Sequence, residues 1–395
     1  MELLILLTLL LTIIAVAKVL KAKELVDEFK NVESDPISDA EIKTNALGML
    51  VWGILFFAIV IWTLIAWDKY LLPSSASFHG DDIDLLFKIT MILIFVTFFI
   101  THALLFWFVY KYYYKKGKKA LWFPHDNKLE MAWTVVPAAV LILLVTYGMS
   151  TWGKVMYQEP TKDAVRVEIL SEQFKWTTRY AGSDRVLGEV SFSLYGKNSM
   201  GIATKIAMED RLKECYESVE KLRIDSNYVD SLVKKGWNRE DGLDEVKDGL
   251  KNYRSNINRI KKMLEEYKVS PLLFDAGNDD KVINSDTIYF PKGKQVILQL
   301  RSKDVIHSAY LPHFRVQMNT VPGMKTSFTF VPKYTSKEMK EVAAKEGKQF
   351  TGYILLCNKI CGASHYNMKL FVKVVEPSVY QKWLATQKTF KESYQ

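Results

Sequence analysis

The sequence predicts a membrane-anchored protein in two parts: N-terminal transmembrane α-helices, then an all-β sandwich interrupted by an inserted α-helical hairpin. Three observations predict it. Apolar residues gather in long runs before about residue 150. Short β-rich stretches separated by Pro, Gly and Asp follow. Between these lies a charged segment, residues 205–268, whose apolar residues keep a helical period. At 395 residues and 49% hydrophobic, the chain can bury more than one core.

Four runs are long enough to cross a hydrocarbon core: Leu3 to Val19, Ala46 to Trp67, Leu85 to Tyr110 and Met131 to Gly148. Lys111, Lys115, Lys116, Lys118, Lys119 and Lys128 lie between the last two, which assigns that loop to the cytoplasm. The fourth span then exits outward and carries residues 151–395 with it. Ala15-Val16-Ala17 resembles a signal-peptide cleavage site, but removing the first run would put the lysine loop on the wrong side, and Glu2 stands where a basic residue should. The expected divisions are 1–45, a first membrane helix and cytoplasmic segment; 46–80, a further helix and outer loop; and 81–150, a transmembrane hairpin. Residues 151–204 begin the sandwich, 205–268 form the helical insert, and 269–395 complete the sandwich.

The expected strands are Val165 to Leu170, Thr287 to Phe290, Gln295 to Arg301, Phe328 to Val331 and Leu370 to Val375. In the insert, Met208, Leu212, Cys215, Val219 and Leu222 repeat three and four apart. So do Leu243, Val246, Leu250, Tyr253, Ile257, Ile260, Leu264 and Tyr267. With Gly236 and Asp241-Gly242 as breaks, these predict two helices folded back on each other, and they make Cys215 a small core residue. The only other cysteines are Cys357 and Cys361, which excludes a disulfide scaffold, and no C-x-x-C-H sequence is present to attach a c-type haem.

The segment from Cys357 to Met368 packs two thiols, the imidazole of His365 and a thioether into twelve positions. Soft ligands of this kind select copper, whereas zinc has no use for the methionine. His307, at the end of an expected strand, supplies a second imidazole. A mononuclear blue-copper site uses one thiolate, so two cysteines point to two bridged copper ions. A Cys357–Cys361 disulfide and a core that absorbs His365 and Met368 separately are the competing readings.

Cys357-x-x-x-Cys361-x-x-x-His365-x-x-Met368, with Asp304-Val305-Ile306-His307-Ser308 and Val321-Pro322-Gly323 upstream, resembles cytochrome c oxidase subunit II. Glu130 to Ala138 resembles the start of that family's second membrane helix, and the likeness covers roughly residues 85–200 and 285–385. The resemblance implies a cupredoxin-like fold in the periplasm of a bacterial inner membrane. It implies a CuA site of two copper ions that takes electrons from a c-type cytochrome. The electrons pass to the haems of catalytic subunit I, which reduces oxygen to water coupled to proton translocation. Other oxidase subunits, a larger respiratory assembly and membrane lipid are the remaining partners implied; nucleic acid is not.

Matched residue by residue, the family's copper ligands are His307, Cys357, the backbone carbonyl of Lys359, Cys361, His365 and Met368. Glu130 matches a glutamate at the cytoplasmic mouth of a proton pathway; without the family it is equally a helix-start acid favoured by the helix dipole. Lys359 replaces a glutamate whose carboxylate helps hold magnesium against subunit I, so magnesium there is doubtful. In Gln173-Phe174-Lys175-Trp176, Phe174 occupies the place of the family's electron-accepting tryptophan. That role falls to Trp176 or another exposed ring unless these aromatics are sandwich core.

Three other readings compete: a copper-free quinol oxidase subunit, the CuA subunit of another reductase, and a copper chaperone. His102, inside the third run, is expected to hydrogen-bond between helices, and His313 has no counterpart as a ligand. Residues 286–395 carry an excess of roughly ten positive charges, which favours a donor with an acidic face or one tethered in the same assembly. The hairpin is expected to dock another subunit or the donor.

Overall fold

The structure, a computed structural model, describes residues 38–234 and 240–394, together with 11, 14–16, 18–23, 25 and 26. Most of the run Leu3 to Val19 lies outside the described residues, as does Gly236. The chain divides into two compact units, residues 1–68 with 90–138 and residues 69–89 with 139–395.

Among the described residues three helices are long and apolar enough to cross a membrane: α1 (Asp39–Trp67), α2 (Phe78–Lys111) and α3 (Asn127–Met156). Ser38 and Glu41 form a reciprocal capping box that starts α1, and the Asp126 carboxylate accepts from the Lys128 and Leu129 N–H groups to start α3. Gly53 lets α1 approach α2, since a Cβ there would lie 2.6 Å from the Phe106 ring. His102 departs from expectation. Its Nδ1 bonds the Phe98 carbonyl of its own helix at 2.8 Å, and what crosses to α1 is its ring, stacked on Phe56 at 5.8 Å.

The second unit is a sandwich of two five-stranded sheets. One runs β3-β2-β1-β5-β8, from β1 (Val165–Glu172), β2 (Lys175–Tyr180), β3 (Lys281–Ile283), β5 (Val296–Ser302) and β8 (Thr326–Phe330). The other runs β4-β10-β9-β6-β7, from β4 (Thr287–Pro291), β6 (His307–Leu311), β7 (Val316–Thr320), β9 (Tyr353–Cys357) and β10 (Lys369–Val375). The pairs β1 with β5 and β4 with β10 are parallel, and the rest antiparallel. The five strands expected from the sequence coincide with β1, β4, β5, β8 and β10; the other five were not foreseen. Ile169, Leu298 and Leu300 of one sheet face Leu311, Leu355 and Val372 of the other in a common core.

The insert is α4 (Lys205–Val233) and α5 (Glu240–Val269). Asp241-Gly242, expected as a break, belong to the first turn of α5. Met208, Cys215, Ile257 and Ile260 are buried together with Leu194, Ala203 and Phe274 at the hairpin's base, so Cys215 is a core thiol. A separate ionic cluster joins the sheet to the segments that flank the insert, at Tyr195, Met200 and Asp280. Glu168 accepts from Arg179 Nε at 2.6 Å and from Arg301 Nε at 2.7 Å; Arg179 reaches Asp280 at 2.5 Å, and Arg301 reaches the Tyr195 hydroxyl and the Met200 carbonyl. All four charged side chains are buried. The two arginines hold Glu168 ionised, while burial pushes Asp280 up to about 7 despite its bond to Arg179.

Candidate metal centre

Strand register brings four connections to one end of the sandwich. Glu172 and Lys175 close the β1–β2 turn, Ser171 lies opposite Ser302 at the end of β5, and His307 lies opposite Thr320 at the end of β7. Cys357, the last residue of β9, is tied by its N–H to the Met368 carbonyl, which precedes β10. His307 therefore stands at the leading end of β6 rather than at the close of a strand.

Donor atoms converge there. The Cys357 and Cys361 sulfurs are 3.8 Å apart, beyond any S–S bond, and both thiols are free. His307 Nδ1 lies 3.9 Å from Cys357 Sγ, and the Lys359 carbonyl oxygen 3.2 Å from it. Around Cys361 Sγ stand His365 Nδ1 at 3.4 Å and Met368 Sδ at 3.8 Å. The ligating atoms of His307, Cys357 and Cys361 all lie within 4.8 Å of one another. Each of the six positions matched from the sequence contributes an atom to this cluster. His313 does not: it sits between the Phe350 and Tyr353 rings, and burial pushes its pKa down to about 4.

The surroundings prepare these atoms for a cation. His307, Cys357, Cys361 and Met368 are buried, and burial together with the neighbouring Cys357 thiol pushes Cys361 up to about 11. The Cys361 thiol so placed keeps its proton at neutral pH unless a metal displaces it. Asp304 accepts from His307 Nε2 at 2.9 Å, which leaves the Nδ1 lone pair turned to the sulfurs. Burial would raise the Asp304 carboxyl, but the His307 bond and the N–H groups of Gln173 and Val305 outweigh it and hold the carboxyl below its usual range. From sequence alone Asp304 is part of the matched motif without a role; a carboxylate three residues before His307 was the available signal. Gln173 donates to the Cys361 carbonyl at 2.5 Å, and Gly362, at φ +136°, allows the close approach of Phe174: a Cβ there would meet that ring at 2.9 Å.

The donor set, two sulfurs flanked by imidazoles, a thioether and a carbonyl, fits soft thiophilic copper and not a hard oxygen-seeking ion. Trp176 is 6% exposed, with its ring 6.2 Å from that of His307. It is part of the buried core and packs towards His307, not a ring offered to solvent; Phe174 is only partly buried. Glu130 belongs to the membrane unit, in the first turn of α3, exposed and 3.8 Å from His125 Nδ1.

Two family profiles match in chain order: cytochrome C oxidase subunit II, transmembrane domain, over residues 65–150, and its periplasmic domain over residues 253–375. The chain belongs to the cytochrome c oxidase subunit II family. The alternative cytochrome c oxidase subunit 2 of Bradyrhizobium diazoefficiens is 26% identical over 332 residues, 83% of this chain and 84% of the relative. The cytochrome c oxidase subunit 2 of Cereibacter sphaeroides is 25% identical, over 79% and 76%. The solved periplasmic domain of subunit II from Bradyrhizobium japonicum aligns with 58% of this chain and 96% of its own, at 14% identity and a TM-score of 0.26. This subunit II is thus a membrane-anchored component of an oxidoreductase with a cupredoxin-like domain in the periplasm. The matches begin earlier, at 65, than the likeness read from the sequence, and leave residues 151–252 between them.

Proposed function

We propose that this subunit II receives electrons for a respiratory terminal oxidase of the bacterial inner membrane, taking them from a c-type cytochrome and passing them to the haems of subunit I, where oxygen is reduced to water and protons are translocated. The observation that carries this reading is the meeting of two thiols, two imidazoles, a thioether and a carbonyl at one end of the sandwich. His307, Cys357, the Lys359 carbonyl, Cys361, His365 and Met368 would hold a CuA pair, which supplies a one-electron carrier at that position. The protein's own part is to fix these donors on strand ends and exclude water from them, so that little moves when charge changes. Asp304 keeps the His307 tautomer, and Gln173 pins the ligand loop. Lys359 lends only its carbonyl; its ammonium cannot ligate magnesium, so the carboxylate with which the family helps hold that ion is missing at this position. Glu130 would take up protons on the opposite membrane face.

The test is electron paramagnetic resonance of the purified oxidase and its Cys357→Ser and Cys361→Ser variants. The wild type should show hyperfine splitting from one electron shared by two coppers, and each variant should lose it. A variant that keeps the shared pattern would show that its sulfur does not bridge.

A further inference from the structure

The end of the sandwich that gathers the ligands also presents side chains the site does not use. Ile360 and Tyr366, both on the ligand loop, are 87% and 86% exposed. Ile306 beside His307 and Met324 on the β7–β8 connection are exposed as well. Apolar groups clustered in sequence around a buried site, and packed on nothing, are what an interface centre consists of.

Around that centre ammonium groups outnumber carboxylates. Glu172 is taken by Lys175 at 2.8 Å and Lys303 at 2.6 Å, and Asp304 is committed to His307 and two backbone N–H groups. No acid on these connections is left unengaged among the described residues. Lys325 has only Glu189, at 4.0 Å, and Lys359 and Lys369 have no ion pair among the described residues. Two ammonium groups thus stand without an ion pair among the described residues, and a third has only a distant one, at the end of the sandwich that exposes Ile360 and Tyr366.

From this juxtaposition, and resting on the electron-accepting reading above, we propose that this end docks an electron-transfer protein whose own face is an apolar centre ringed by carboxylates. Charge decides the occupant. A partner with a lysine ring would meet like charge across a narrow gap, which slows encounter and costs affinity, whereas carboxylates would pair with Lys325, Lys359 and Lys369 as the apolar centres close.

The experiment is stopped-flow reduction of the copper centre in the purified oxidase by two reduced cytochromes c, one of acidic and one of basic isoelectric point, across a salt series. Lys325→Glu/Lys369→Glu oxidase, with rates normalised to its copper signal, forms the second arm. The acidic cytochrome should react about tenfold faster or more at low salt, the magnitude electrostatic steering commonly reaches. Its rate should fall as salt rises, and the variant should lose most of the preference. A basic cytochrome that is faster at low salt and slows with salt would overturn the proposal. Equal rates at every salt, the outcome if another subunit or lipid headgroups cover this face, would overturn it too. If no cytochrome reduces a centre that shows the copper signal, the electron-accepting reading itself fails, a result distinct from either of these.

Discussion

Glu168→Gln should loosen the sheet formed by β1, β2 and β5 where the segments flanking the helical insert pack on it. The Glu168 carboxylate takes hydrogen bonds from Arg179 Nε at 2.6 Å and from Arg301 Nε and Nη2 at 2.7 and 3.0 Å, with no solvent contact. Burial alone would raise its pKa, yet the two guanidinium groups outweigh that and bring it from 4.5 to about 2. At about 1.4 kcal/mol per pKa unit, that difference corresponds to roughly 3 kcal/mol of stabilisation at neutral pH. Removing one partner of a buried ionic group costs about 3–5 kcal/mol, so the two routes agree. A loss of about 3 kcal/mol is on the order of a hundredfold in the opening equilibrium. Hydrogen exchange read by mass spectrometry on the detergent-purified oxidase measures it, in peptides covering β1 and β5. Because the folded value is depressed, the contribution is complete above about 4.5 and disappears as pH falls toward about 2, so wild type and variant should converge across that window. Protection of β1 and β5 within about threefold of wild type at neutral pH would refute the reasoning, since the cluster would then be energetically neutral, as some buried ion pairs are.

Three further outcomes follow from named contacts. Asp304→Asn should weaken copper binding by about 10- to 100-fold, the usual cost of losing the group that orients a ligating histidine; chelator competition measures it, and unchanged affinity would remove Asp304 from that role. Glu130→Gln should slow steady-state oxygen consumption while leaving copper reduction untouched, and unchanged consumption would leave Glu130 as a helix-start acid only. Cutting the hairpin back beyond Leu222 and Gly249 spares its buried base, so copper should be retained while a partner is lost from the purified complex. An unchanged subunit composition and donor rate would show that the outer turns dock nothing.

The donor set was legible because soft ligands at short spacing have few other uses, and the helical insert because its apolar period differs from that of a strand. Strands β6, β7 and β9 were not: β6 (His307–Leu311) and β9 (Tyr353–Cys357) show no polar–apolar alternation in sequence, and β7 (Val316–Thr320) alternates over five residues only. The ionic cluster was invisible for a different reason. Glu168, Arg179, Asp280 and Arg301 read singly as surface charges, and only register discloses the meeting: Glu168 stands opposite Arg179 on β2, and Arg301 opposite Leu170. Trp176 could not be placed from sequence because β2 is covered on both faces from that residue onward.

Placing the insert between β2 and β3 sets an order of events as the chain is made. β1 needs β5, whose Arg301 carbonyl receives the Ser171 hydroxyl across a separation of 130 residues. A two-stranded β1–β2 ribbon is marginal by itself, so it has to wait, with an open edge, for the strand that completes it. The hairpin meanwhile needs only near neighbours and can form first, covering residues beside that waiting ribbon. Every ligand from His307 to Met368 comes after β5, at the far end of synthesis. Capture of the proposed copper pair would thereby come last in assembly, after the strands of the first sheet have been made.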